Sequence, residues 1–190
     1  MKVLILFSGG LDSVGLALFA LQSGHEVHLL HLSYSHPAQM EERVASERAA
    51  VSFSHAFPNK VTYCPVPHGI VAGEMYGDGA RYVPMRNLSF LGVAANWAIA
   101  YKCKEIWIGA TNLDQEDYAD CRPEFLGLFK IILQQQLFDI LVRAPYLEDN
   151  KKLLPRHLVK WHCEQAEIPW ISCYEPRDGE ACGVCNSCLQ

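Results

Sequence analysis

The sequence predicts one α/β domain built on a doubly wound, mainly parallel five-stranded sheet, and three observations predict it. Short apolar runs alternate with longer stretches of helical spacing, the order expected of β–α–β units. A Ser-Gly-Gly loop separates the first run from the first helix. The 190 residues are 50% hydrophobic and 19% charged, the size and composition of a single globular domain with a real core.

The elements follow in order. Residues 2–7, a continuous apolar run with Val3 and Ile5, read as a buried strand closed by Ser8-Gly9-Gly10. Residues 12–22 carry Val14, Leu16, Leu18, Phe19 and Leu21, which suits a largely buried helix, and Gly24 is its stop. Residues 26–32 form a second strand, residues 40–53 a second helix with Val44, Ala45, Arg48 and Ala49, and residues 61–66 a third strand. The stretch 67–84, rich in Gly and Pro, reads as a long loop, and such loops in compact domains serve as lids or binding segments. Residues 88–101 then form a buried helix, 105–109 a strand, 123–138 a helix with Pro123 near its start, and 139–144 the fifth strand. From Ser172 the pattern fails, and no regular element is assigned. In a sheet of this kind ligands sit beyond the carboxyl ends of the strands.

Composition narrows the function. Sixteen Lys and Arg against 21 Asp and Glu give a formal net charge of −5, poor material for a clamp on nucleic acid. No run of about 18 uncharged apolar residues provides a membrane span, and the apolar N-terminus ends too soon for a signal peptide. The expected location is the cytoplasm, where eight cysteines point to metal ligation more than to disulfides.

The loop Ser8-Gly9-Gly10-Leu11-Asp12-Ser13 joins a buried strand to a helix, so its backbone N–H groups and the positive end of the helix dipole converge on one spot suited to an anion. Gly9 and Gly10 allow close approach of the main chain, and the Ser8 and Ser13 hydroxyls add donors. Asp12 either caps the helix or holds a Mg²⁺ that bridges phosphate oxygens. The loop lacks the lysine of a Walker A motif and the spacing of GxGxxG. On spacing alone, a plain turn capped by Asp12 stays open beside the anion site.

Cys173, Cys182, Cys185 and Cys188 form C-x8-C-x2-C-x2-C. Four thiolates can surround one Zn²⁺ tetrahedrally, and a full Cys₄ shell leaves no open position for water, so a structural zinc knot is expected. An iron–sulfur cluster is the alternative on ligand chemistry. Cys64, Cys103, Cys121 and Cys163 are scattered and read as buried small hydrophobes. His25, His28 and His31, three residues apart along a strand, alternate faces and do not make one metal site. Trp97, Trp107, Trp161 and Trp170 read as core or edge packing.

Ser-Gly-Gly-x-Asp-Ser after the first strand resembles the PP-loop of the N-type ATP pyrophosphatases, which cleave ATP between its α and β phosphates and adenylate a substrate oxygen. With the cysteines, three further segments resemble the 7-cyano-7-deazaguanine synthase (QueC) family: Tyr82-Val83-Pro84-Met85-Arg86-Asn87, Asp120-Cys121-Arg122-Pro123-Glu124-Phe125, and Ser172-Cys173-Tyr174 leading into the knot. The similarity spans nearly the whole chain. It implies the PP-loop (adenine nucleotide alpha-hydrolase-like) fold, with an adenylating ATP-binding domain over residues 1–171 and a Cys₄ zinc knot over 172–190 packed on it. It also implies a ligase that takes 7-carboxy-7-deazaguanine, ATP with Mg²⁺ and ammonia to the nitrile. The carboxylate is adenylated and captured by ammonia as the amide, and that amide is activated in turn and dehydrated.

On this resemblance Ser8 to Ser13 bind ATP and its diphosphate, while Arg86, Asn87, Asp120, Arg122, Glu124 and Lys151 are the candidate substrate and catalytic residues. Arg86, Arg122 and Lys151 are the cations that would neutralise charge building on the phosphates. Each also has an ordinary reading: Arg122 and Glu124 as a helix start, with Glu124 at the positive dipole end, Lys151 as a solvated charge beside Lys152, and Asn87 as a cap. The chain departs from the family in two places. Tyr34 is followed by Ser35-His36-Pro37-Ala38 where family members carry Gly-Gln-Arg-His, and Asp114-Gln115-Glu116-Asp117 adds two acids near the expected substrate mouth. An acidic wall repels a carboxylate or attracts an amine, which keeps two alternatives open. One transfers the adenylated acyl group to another amine, on a small molecule or a protein partner, without making the nitrile; the other is an inactive nucleotide-binding interaction module. The apolar helix around residues 125–137 suits a homodimer interface as well as the monomer core.

Overall fold

The computed structural model describes residues 1–71, 83–148, 155–177 and 179–189. In chain order these form β1 (Lys2–Leu6), α1 (Leu11–Gln22), β2 (Glu26–Ser35), α2 (Gln39–Ala56), β3 (Val61–Val71), α3 (Arg86–Ala100), β4 (Glu105–Trp107), α4 (Asn112–Asp117), a 3-10 turn (Ala119–Cys121), α5 (Pro123–Gln135), β5 (Leu141–Arg143), α6 (Pro145–Glu148), α7 (Arg156–Gln165) and α8 (Asn186–Leu189). Among the described residues the five strands form one sheet in the order β3-β2-β1-β4-β5. Every pairing is parallel, with Val3 opposite Val27 on one side and Glu105 on the other.

Alternation along the strands explains the layers. Val3 and Ile5 of β1, Val27 and Leu29 of β2 and Trp107 of β4 point to one face and join α1, α2 and α7 residues such as Leu16, Phe53 and Val159 in one core. Leu4, Leu30, Leu32 and Ile106 point to the other, where Leu91, Ala94 and Ala98 of α3 and Leu126, Phe129 and Leu133 of α5 cover them. Both faces being covered is why these strands read as continuous apolar runs. His28 and His31 follow the same alternation: His28 lies 5.2 Å from the Tyr101 ring, and His31 Nδ1 meets the Phe7 carbonyl at 3.0 Å.

Several boundaries move. β3 continues to Val71, five residues into the stretch expected to be loop. It is an edge strand, and Pro65 and Pro67, two residues apart, present their missing N–H groups to the same side, which an edge can leave unpaired. The fourth strand stops at Trp107 rather than 109, and the helix begun by Pro123 stops at Gln135 rather than 138. Leu137 takes a left-handed φ of 61° just beyond that helix. α1 ends where expected: Gly24, at φ 82°, lets its own N–H reach the Leu21 carbonyl while the His25 N–H reaches Ala20. α4, α6 and α7 have no counterpart in the sequence reading, nor does short α8 inside the irregular tail. Trp161 on α7 is 57% exposed, so core or edge packing does not describe it. Among the described residues no helix is long and apolar enough to cross a membrane.

Candidate functional site

The strand order reverses between β1 and β4, and a cavity of 240 Å³ opens beyond their carboxyl ends. Its floor is Leu6, Phe7, Leu30, Leu32, Ile108 and Ala110; Phe90 lies at one side. Polar groups converge on it from several elements: Ser8, Gly10, Asp12 and Ser13 from the glycine loop and the start of α1, Tyr34 from the end of β2, Glu42 from α2, Arg86 and Asn87 from α3, Asp114 from α4, Cys121 from the 3-10 turn, and Tyr174. The sequence had placed the phosphate loop, Arg86 and Asn87 in one site, and the fold brings them together.

The loop is held by its own serines. The Gly9 N–H donates to Ser13 Oγ at 3.2 Å, the Gly10 N–H to Ser8 Oγ at 3.2 Å, and Ser13 Oγ donates to the Gly10 carbonyl at 2.9 Å. Gly10 is the N-cap of α1 and offers no side chain; the first amide of that helix, Leu11 N–H, donates instead to the Ser172 hydroxyl at 3.0 Å. Asp12 is therefore not the cap. It lies in the first turn, with Oδ1 3.5 Å from Arg156 Nε, and its carboxyl is raised by burial, against the pull of Arg156 and with help from Asp114. Asp12 and Asp114 both line the cavity.

α3 starts on Arg86 after Met85, whose φ is 61°, and Asn87 is inside the helix, so it is not a cap either. Asp120 performs that role: its Oδ2 accepts from the Asn87 N–H at 3.2 Å, while Asn87 Nδ2 donates to the Asp120 carbonyl at 3.3 Å and Cys121 Sγ at 3.4 Å. This clasp orients α3 so that Arg86 reaches the cavity and Nη1 donates to the Tyr34 hydroxyl at 3.4 Å. Burial works against the Arg86 charge, but Tyr34 and Asp120 more than offset it.

The wall opposite holds Glu42, which the sequence reading passed over. Desolvation pushes the Glu42 carboxyl up to about 7, with Arg86 acting in the opposite sense. His36 Nε2 lies 3.5 Å from Glu42 Oε2, and its ring stacks on Tyr34 with centroids 4.4 Å apart. Burial first, then Arg86 and His31, bring His36 down to about 4, so it is neutral near pH 7 and meets Glu42 as a polar contact rather than an ion pair. Nothing in the local sequence separates Glu42 from Glu41 beside it; only the turn after β2 does.

The other expected residues lie elsewhere. Arg122 is exposed, its Nε donating to the Gln115 carbonyl at 3.0 Å, and Glu124 is exposed in the first turn of α5. Neither lines the cavity; the helix-start reading describes both. Lys151, like Tyr82, falls outside the described residues. Of the two added acids, Glu116 is exposed and does not line the cavity, and the side chain of Asp117 lies outside the described residues; Asp114, which the family pattern shares, lines the cavity and closes a capping box with Thr111.

At the end of the chain the sulfurs of Cys173, Cys182, Cys185 and Cys188 all lie within 4.8 Å of one another. Cys185 and Cys188 approach to 3.4 Å and Cys182 and Cys188 to 4.0 Å, against an edge of about 3.8 Å for a tetrahedron of thiolates around one zinc. The set fits one metal ion. Burial opposes ionisation of Cys185, but hydrogen bonds with the Tyr174 backbone and Cys188 bring its thiol down to about 6, toward the ligating form. Cys103, Cys121 and Cys163 are buried thiols pushed up to about 11, 12 and 11, and Cys121 differs in facing the cavity.

Among solved structures, the U34-tRNA thiolase NcsA from Methanococcus maripaludis with its [4Fe-4S] cluster matches with a TM-score of 0.54 at 16% identity, covering 96% of this chain and 62% of that one. This shows a shared fold. Sequence relatives are more specific. A 7-cyano-7-deazaguanine synthase of Methanospirillum hungatei is 33% identical, with 99% of this chain and 91% of the relative aligned. That of Chlorobium chlorochromatii is 32% identical over 99% and 88%, and that of Methanoculleus marisnigri 30% over 98% and 90%. The family model described as "Queuosine biosynthesis protein QueC" matches residues 2–60 and 66–190. The match takes in the glycine loop, the Asn87–Asp120 clasp and the four cysteines alike, and on it the chain belongs to the QueC family, a family of enzymes.

Proposed function

We propose that the chain is an ATP-dependent C–N ligase that converts 7-carboxy-7-deazaguanine and ammonia to 7-cyano-7-deazaguanine, releasing AMP and diphosphate. The observation that carries this reading is the convergence of the glycine loop and Arg86 on one cavity with an apolar floor. The loop amides and the Ser8 and Ser13 hydroxyls hold the phosphates, Asp12 and Asp114 hold Mg²⁺, and the flat apolar surfaces take the bases. A carboxylate oxygen attacks the α-phosphorus and the bond to the β-phosphate breaks, so diphosphate leaves on the loop side. Arg86 counters the charge that builds there, which fixed cations do best in a site shielded from water. Ammonia then attacks the acyl carbon, AMP departs with the carboxylate oxygen, and one proton is lost. A second ATP adenylates the amide oxygen; loss of AMP and two protons from nitrogen leaves the nitrile.

The four-cysteine site is read as structural zinc. Its sulfurs are spaced for one ion rather than a cluster shell, and a full set of four thiolates closes the coordination sphere. Residues 1–171 form the adenylating domain and 172–190 the knot upon it. The partners are small molecules, and no two of the eight cysteines are joined by a disulfide, in keeping with a reducing cytoplasm.

One observation favours a second reading. Asp12, Glu42 and Asp114 give the cavity an acidic wall, which attracts an amine; the adenylated acyl group then passes to an amine other than ammonia, and no nitrile forms. Purified protein incubated with 7-carboxy-7-deazaguanine, ATP, Mg²⁺ and ammonia decides among these. Two AMP per nitrile supports the first reading, and AMP with an amide-linked adduct on a supplied amine supports the second. ATP binding without any diphosphate release would reduce the protein to an inactive nucleotide-binding module.

A further inference from the structure

Residues 171–174 connect the two sites. The Ile171 N–H donates to the Gly9 carbonyl at 3.0 Å, and the Leu11 N–H donates to the Ser172 hydroxyl at 3.0 Å. A methyl group built on Gly10 would stand 3.4 Å from the Ile171 carbonyl oxygen and 3.7 Å from Ser172 Oγ, so the strand of chain runs directly along the loop. The next residue is Cys173, buried, with its sulfur accepting from the Cys182 N–H at 3.2 Å. Tyr174 then lines the cavity. Within four residues, the chain buttresses the phosphate loop, enters the four-cysteine cluster and returns to the cavity wall.

Leu11 is the first residue of α1, and its amide is one of the helix-start donors without a partner inside the helix. Ser172, 161 residues away in sequence, supplies that partner. What holds Ser172 in place is its neighbour: the tail after residue 172 has few apolar side chains to bury, so metal ligation is what offsets the entropy of ordering it. We propose that Ser172 is a positioning residue through which metal in the four-cysteine site sets the affinity of the glycine loop for nucleotide. Because binding free energies are reciprocal, nucleotide on the loop also tightens the metal. The inference rests on the reading that the loop holds ATP.

The test uses the full-length Zn²⁺-loaded protein, with Ser172→Ala and Ser172→Thr variants, and Mg-ATP as the probe. Loss of a single such hydrogen bond weakens binding by about three- to tenfold. S172A is expected to keep one zinc per chain and to bind Mg-ATP that much more weakly in calorimetry, and S172T, which keeps the hydroxyl, to restore it. Mg-ATP should slow transfer of Zn²⁺ from the wild type to a chromogenic chelator, and this protection should shrink in S172A. If S172A does not fold, hydrogen exchange of the wild-type peptide covering residues 8–13, with and without zinc, gives the answer: protection at Leu11 should fall on metal removal. Unchanged Mg-ATP affinity in a zinc-loaded S172A, a chelation rate indifferent to Mg-ATP, or unchanged protection at Leu11 overturns the coupling alone. A zinc-loaded wild type that binds no Mg-ATP overturns the coupling and the nucleotide site together.

Discussion

Gly9 sits against the backbone of α2: a methyl group built on it would lie 2.7 Å from the Ser46 amide nitrogen and 2.9 Å from the Glu42 carbonyl oxygen. Both contacts are main chain, and Gly9 also has a φ of 87°. No side-chain adjustment relieves either constraint. Gly9→Ala should therefore destabilise the fold by about 2 kcal/mol or more and displace the glycine loop; urea unfolding and Mg-ATP binding measure the two effects. A variant as stable as wild type would mean the loop does not approach α2 this closely.

Gly15 is the corresponding contact on the other side of α1. A methyl there would meet the Tyr146 hydroxyl at 2.6 Å and both Val159 methyl groups at 3.0 Å. Tyr146 donates to the Asp12 carbonyl at 3.2 Å, so Gly15→Ala should push α7 outward and release that bond, at a cost of about 1–3 kcal/mol. Thermal unfolding checks the cost.

Arg86 and Arg122 lie in neighbouring motifs but in different surroundings, and substitution should separate them. Arg86→Gln removes a cation from the cavity and should lower AMP formation on the order of 100-fold. Arg122→Gln removes an exposed side chain bonded to the Gln115 carbonyl, and should lower it by less than about tenfold. Equal losses would show that Arg122 swings into the cavity during turnover.

Glu42 titrates near 7 in the fold, against an ordinary value of 4.5. A raised carboxyl contributes stability that is fully present below 4.5 and is lost as pH rises through 7. Glu42→Gln has no such loss, so its stability relative to wild type should improve between pH 4.5 and 7.5 and then level off. Urea unfolding across that range gives the curve, and a flat difference would place Glu42 in water.

Glu105 ties the two strands at one side of the sheet. The Trp107 Nε1–H donates to its Oε2 at 2.6 Å and Arg143 Nη1 stands 3.5 Å from the same oxygen. Glu105→Ala leaves the buried indole donor without its acceptor and should cost about 2 kcal/mol, while Glu105→Gln, which keeps an acceptor, should cost less. Denaturant midpoints compare the two.

The parallel α/β class and the order of the principal strands and helices were legible because both faces of the sheet are covered, and a strand buried twice declares itself as an unbroken apolar run. The place of the loop Ser8 to Ser13 and the grouping of the four cysteines were legible because both depend on spacing within a few residues. α4, α6 and α7 were not: α4 has six residues, α6 has four, and α7 buries only Val159 and Cys163 in the described core. The edge position of β3 hid its length, since Pro65 and Pro67 signal a loop until a strand with one open side is known to carry them.

Local order in the chain thus determined the fold class, the glycine turn after the first strand and the four-cysteine set, all of which arise from residues near one another in sequence. Tertiary structure alone decided that Arg86 enters the cavity while Arg122 stays outside, that Glu42 rather than Glu41 lines the wall, and that Ser172 closes on Leu11. Those outcomes depend on how helices dock across a sheet, where contacts such as Asn87 with Asp120 and Leu11 with Ser172 join residues 33 and 161 positions apart. A one-dimensional pattern records what a residue is, and only packing records what it meets.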